Sequence, residues 1–216
     1  MDTELVLPPA IVRLVLSFSS KEDIMECLDH PLCDQSLGVW YLAIHDKPTI
    51  IKHMPGVIVR LSAYGYLEVL QHLASEAEFK LTREDARADN NYALQRACAN
   101  GRLDTAKWLV HRWALTAEDA RARCSYALRH ACENGHLAVA QWLTAIFDLT
   151  IEDARALDNY AFREACGNGH LSVVQWLVAT FKLTIDDVQA NNSAVLWSAG
   201  RARNYDIVQW LVSTFT

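Results

Sequence analysis

No stretch of this chain approaches the ~18 uninterrupted apolar residues of a membrane-spanning helix, so none is expected in its 216 residues. The first twenty residues lack the pattern of a secretion signal. They begin with acidic Asp2 and Glu4, their apolar run is cut by Pro8, Pro9 and Arg13, and no small-residue cleavage site follows. The protein therefore reads as soluble and intracellular. Cations are not in excess, with 20 Lys and Arg against 26 Asp and Glu and a net charge of −6. That balance argues against a duplex-phosphate binder, and no nucleic-acid partner is expected. No nucleophile, base and orienting group recur at a meaningful spacing, and no Gly-rich loop follows a strand pattern. No enzymatic activity, catalytic residue or cofactor is expected. Cys27, His30 and Cys33 suggest metal, but a fourth ligand is missing at any usual spacing, so no metal site is expected.

What is present is apolar mass and repetition. Half the chain (51%) is hydrophobic and only 21% is charged, enough to bury a core. The segment from Tyr126-Ala127-Leu128 to Gln141-Trp142-Leu143 recurs 34 residues later from Tyr160 to Leu177 and 34 residues earlier from Tyr92 to Leu109. A period of this size marks a stacked array of supersecondary units, a class that binds other macromolecules. Copies are expected at residues 56–91, 92–125, 126–159, 160–193 and 194–216, the last departing at Arg203-Asn204. Cys98, Cys132 and Cys166 recur at the same period. They read as small buried residues in a reducing compartment rather than as a disulfide framework.

Within one copy the pattern predicts a short first helix with Leu128, Ala131 and Cys132 inward. A turn follows at Asn134-Gly135, then a second helix with Leu137, Val139, Ala140, Trp142 and Leu143 inward. The periodic tryptophans at 108, 142, 176 and 210 read as core. The connection Leu149-Thr150-Ile151-Glu152-Asp153-Ala154-Arg155 recurs at 115–121 and 81–87. Thr followed by Asp three residues on predicts a capped helical turn. The last copy is expected to turn an apolar face outward, including Ile207 and Val208, which suggests either self-association through that end or a chain cut short.

Residues 1–38 predict two helices, the first started by Pro8-Pro9 with Ile11, Leu14 and Phe18 on one face. Residues 39–55 read as a helical bridge to the array. The N-terminal pattern resembles an F-box, which implies docking on a ubiquitin-ligase adaptor subunit through Leu7, Pro8, Ile11, Leu14 and Phe18. A plain helical cap over the first copy explains the same residues.

The repeat resembles the ankyrin repeat, with Leu128, Ala131, Gly135, His136, Leu137, Val139 and Leu143 in register. Tyr-Ala replaces the usual Thr-Pro, and Trp replaces a Leu in the second helix. The dialect Asn-Gly-His-Leu-x-Val-x-Gln-Trp-Leu is similar to ankyrin proteins of giant DNA viruses of amoebae. The resemblance implies an all-α ankyrin solenoid with an N-terminal helical cap, acting in a host cytoplasm. It implies His136 and His170 hydrogen-bonded across copies. It also implies a protein target on the concave face of the first helices. There the copies differ, reading Gln95-Arg96, Arg129-His130, Arg163-Glu164 and Trp197-Ser198, with Ala99, Glu133, Gly167 and Arg201 near the turn. Gln95, Arg96, Arg129, His130, Arg163, Glu164 and Trp197 are the candidate partner-binding residues.

Overall fold

The computed structural model describes residues 54–75 and 81–215. The F-box-like or capping segment with Leu7, Pro8, Ile11, Leu14 and Phe18, the Cys27–His30–Cys33 cluster and the bridge up to residue 53 lie outside the described residues.

The described residues are helical without a strand and form an all-α solenoid. The helices are α1 (Met54–Tyr64), α2 (Leu67–Ser75), α3 (Arg83–Ala99), α4 (Leu103–Trp113), α5 (Ala117–Glu133) and α6 (Leu137–Phe147). They continue as α7 (Ile151–Ala154), α8 (Ala156–Gly167), α9 (Leu171–Phe181), α10 (Ile185–Arg201) and α11 (Tyr205–Phe215). The helices form two rows. First helices pack in series as α1–α3–α5–α8–α10, and each also packs on its own partner, α2, α4, α6, α9 or α11. Leu94, Leu128 and Phe162 from one row and Leu109, Leu143 and Leu177 from the other are almost wholly buried. Each contributes about 1.5–3 kcal/mol of apolar burial. Cys98, Cys132 and Cys166 are buried in the same core, where desolvation pushes their thiols well above the ordinary range.

The tryptophans depart from expectation. Trp108, Trp142 and Trp176 are only partly buried against the core, each meeting an aromatic five residues later edge-on (Trp113, Phe147 and Phe181). Their rings cover the core edge, while Leu109, Leu143 and Leu177 fill its centre. In the last copy Ile207 is wholly buried and Val208 half-buried. Tyr205 and Val212 are the exposed apolar residues instead, because the helix register turns Ile207 toward the core.

The turn between paired helices uses glycine for two reasons at once. Gly135 sits at φ 76°, and a Cβ there would lie 2.6 Å from Nδ1 of His170. Gly101 stands in the same relation to His136. Only glycine accepts both the left-handed backbone and the imidazole of the next copy. Side-chain amides link these turns. Asn134 donates to the Ala99 carbonyl at 3.0 Å, and Asn168 donates to that of Glu133 at 2.9 Å.

The connections hold the second link between copies. Thr82, Thr116, Thr150 and Thr184 are N-caps in full capping boxes with Asp85, Asp119, Asp153 and Asp187. Each box starts a capped helical turn, as the Thr-x-x-Asp spacing predicts. The Asp also receives the arginine of the preceding copy. Arg87 reaches Asp119 at 2.6 Å, Arg121 reaches Asp153 at 3.1 Å, and Arg155 reaches Asp187 at 2.7 Å. Gln189 stands where the next arginine would be.

After the capped turn the chain does something the sequence reading did not anticipate. Ala88 is extended (ψ 145°), and Asp89, Asn90 and Asn91 then all adopt left-handed φ between 53° and 65°. The same run occurs at Arg123, Cys124 and Ser125 and at Leu157, Asp158 and Asn159. Left-handed residues cost about 1–2 kcal/mol each, less for Asn and Asp. The run recurs because its last side chain docks on the next copy. Ser125 Oγ donates to Asp153 at 2.7 Å, and Asn159 Nδ2 donates to the Asp187 carbonyl at 3.3 Å.

Asp153 therefore serves a cap, a guanidinium and a hydroxyl. Asp153→Ala is expected to lower stability by about 2–4 kcal/mol, because the cap is lost and the buried Ser125 hydroxyl is orphaned. Arg121→Ala should cost about 1 kcal/mol, since its side chain is 40% exposed. Urea unfolding followed by circular dichroism measures both, and equal losses would contradict the shared role of Asp153.

Candidate partner-binding surface

The first-helix row carries a tyrosine at the start of α-helical winding in three copies, after each left-handed run. Tyr92, Tyr126 and Tyr160 are half-buried. Arg129 lies against two of these rings, 5.7 Å from Tyr126 and 4.9 Å from Tyr160. Arg163 stands 5.4 Å from Tyr160, and Arg96 5.9 Å from Tyr92. Cations over aromatic faces contribute about 0.5–2 kcal/mol each, more as water is excluded.

Two of the predicted positions are not at the surface. Gln95 is 1% exposed and Arg129 5% exposed. Donors of both side chains are committed to the left-handed run before them. Gln95 Nε2 donates to the Asn90 carbonyl at 2.6 Å. Arg129 Nε and Nη2 donate to the carbonyls of Cys124 at 2.7 Å and Arg123 at 2.9 Å. Helical winding cannot satisfy those carbonyls, so a long side chain one turn later does so. Arg163 repeats the pattern through Nη1 to the Asp158 carbonyl at 3.2 Å, while its Nε meets Glu164 at 3.1 Å. These side chains, Gln in one copy and Arg in two, do structural work, a role that is invisible without the turn they close.

His130 is half-buried, with its ring 3.8 Å from that of Tyr126, and it pairs with Glu133. Glu133 also accepts a hydrogen bond from Tyr160 Oη at 3.1 Å. Burial pushes the His130 imidazole below its ordinary value, outweighing the opposite pull of Glu133. Tyr160 is pushed up to about 12 by burial and by Glu133. His136 is likewise lowered, chiefly by burial, although it bonds the Ala99 backbone of the preceding copy. At Asp119 and Asp187 burial opposes ionisation, but the arginine and Thr backbone hydrogen bonds outweigh it and hold both carboxyls below the usual range.

The remaining predicted residues do face solvent. Arg96, Arg163 and Glu164 are partly exposed, and Trp197 is 62% exposed. Arg201 lies 5.1 Å over the Trp197 ring. A recess of about 640 Å³ opens between α8 and α10 beside these residues. A smaller one of about 350 Å³ lies between α1 and α3 beside Tyr64 and Arg96. Among the described residues no cluster of metal-binding side chains occurs, and no helix is long and apolar enough to cross a membrane.

A family model for ankyrin repeats, built of three copies, matches residues 58–153 and again 128–215. The chain belongs to the ankyrin-repeat family. The match spans both helix rows and the conserved-type turns described above. A comparison with curated proteins found no match. The connections of this ankyrin array carry capped helical turns and left-handed runs.

The depressed histidines give stability a defined pH dependence. A histidine whose folded-state value lies below its unfolded value of about 6.5 contributes stability that is full above that value and lost as pH falls through the folded one. The melting temperature should therefore drop between pH 7.5 and pH 5.5, before Asp119 and Asp187, held below the usual carboxylate range, begin to titrate. His130→Gln should flatten that drop in a thermal scan across pH. An unchanged slope would assign the effect to other groups.

Proposed function

We propose that this ankyrin array is a protein–protein interaction module, not an enzyme, and that it holds a target protein on the concave face formed by its first helices. The observation that carries this is the contrast along one row. Apolar core positions repeat from copy to copy, whereas Arg96, Glu164, Trp197 and Arg201 differ from their counterparts and remain accessible. Gln95 and Arg129 act beneath that surface, holding the turns that set its shape. His130 and Arg163 sit between the two roles.

The test is capture of a target with the full chain and two paired variants. Arg96→Glu with Trp197→Ala should weaken capture at least about tenfold, as loss of central contacts does. Lys107→Glu with Gln175→Glu, both exposed on second helices, should leave capture intact. The reverse result sinks the proposal.

A finer reading adds a second contact. The pattern Leu7-Pro8 with Ile11, Leu14 and Phe18 supports recruitment of the target to a ubiquitin ligase through its adaptor subunit. The Gln-Trp-Leu dialect supports a virus-encoded protein working in the host cytoplasm. The alternative is a plain interaction module whose N-terminal helices only cap the stack. Deleting residues 2–38 separates them. The adaptor reading expects purified adaptor to bind the intact chain, with the array's melting unchanged on deletion. The cap reading expects no adaptor binding and a lowered melting temperature.

A further inference from the structure

The recess between α8 and α10 occupies a place that side chains fill elsewhere in the array. Between copies three and four, Tyr160 and Glu133 meet at 3.1 Å, with Arg129 against the Tyr160 ring. One copy later the tyrosine is Ala194 and the glutamate is Gly167. Both truncations fall on one junction, and both residues line the recess of about 640 Å³. The fold does not demand the glycine. Gly167 is not in the left-handed conformation, and a Cβ there would meet only Ser198 Cβ, at 3.4 Å. A helical glycine without a conformational need costs about 0.5–1 kcal/mol.

The third change at this junction is Trp197. Its counterparts Gln95, Arg129 and Arg163 fold back onto the carbonyls of the left-handed run. Tryptophan has a single ring donor and cannot fork onto two carbonyls. Trp197 instead lies 62% exposed at the rim of the recess, with the Arg201 guanidinium over its ring. An exposed tryptophan beside an arginine is the composition of an interface centre, not of a solvated helix face.

The charge of the recess selects its occupant. Glu164, its one carboxylate, is engaged by Arg163 at 3.1 Å. No carboxylate among the described residues pairs with Arg201. The lining is thus cationic in a chain whose net charge is −6. We propose that this recess docks an acidic linear segment of a protein partner, an apolar or aromatic side chain packing on Trp197 and a neighbouring carboxylate meeting Arg201. This rests on the interaction-module reading and names the place and the chemistry of its contact.

The probe is a displayed library of random linear peptides selected on the full chain. Selected peptides are expected to pair Asp or Glu with an aromatic or large apolar residue. Their affinity should fall at least about tenfold in Trp197→Arg, which restores the residue that copies three and four carry. It should fall equally in Ala194→Tyr with Gly167→Glu, which refills the recess and leaves Trp197 in place. Circular dichroism and melting of both variants establish that they fold.

Peptides without acidic enrichment, or with unchanged affinity in both folded variants, overturn the proposal, as does a selection that yields no binder. Peptides lost on Arg96→Glu but not on the recess variants overturn it while leaving the first-helix surface as the binding face. Peptides insensitive to both sets defeat the interaction reading of that face as well. Oligothymidylate binding that disappears with Trp197→Arg would assign the recess to single-stranded nucleic acid and also overturn the proposal.

Discussion

A carboxylate at the third position of three of the capped turns serves two copies at once. Asp119, Asp153 and Asp187 are all buried, and an ionised carboxylate out of water is tolerated only when its lone pairs are taken up. The backbone N–H of the capping threonine and the arginine of the preceding copy supply that. Remove the carboxylate and the turn loses its start, the arginine loses its anchor and, at Asp153, the left-handed run loses its docking point. Two expensive features therefore justify each other: a buried charge, and three consecutive residues in a conformation that side chains resist.

The second constraint is the tyrosine–arginine row. Arg129 is enclosed by two rings and two carbonyls, so its charge is spread over contacts that belong to two copies. These contacts tie adjacent copies together outside the apolar core. They also separate variation that maintains the scaffold from variation that leaves it. Gln95, Arg129 and Arg163 differ in identity but share an action, whereas Trp197 abandons that action and turns outward.

Much of this was legible in the residues. Thr-x-x-Asp at a fixed interval announces a capped turn because the cap is local chemistry. Leu128, Ala131 and Leu143 announce a buried face because helical spacing is a local fact too. The left-handed runs have no local pattern in common: Asp89-Asn90-Asn91 and Asp158-Asn159 carry the side chains most tolerant of that conformation, whereas Arg123-Cys124-Ser125 does not and is held by Asp153 and by the Arg129 hydrogen bonds to its carbonyls. Gln95 and Arg129 looked like solvent positions for the same reason. Their partners are carbonyls exposed by a turn that no local pattern announces. The tryptophans of the second helices were placed too deep because size and spacing suggest core, and only packing shows that leucine took the centre.

The arginine of one copy and the aspartate of the next lie 32 residues apart in all three rungs. Donor and acceptor are thus always on opposite sides of a copy boundary. An in-frame duplication of the second or third copy regenerates every rung, because the new unit offers an aspartate backward and an arginine forward; the fourth copy, with Gln189, does not. A duplication out of phase breaks two rungs and strands a buried charge. The ladder is in effect a reading frame for the protein's own growth. It lets the array lengthen by whole units and resists every other length.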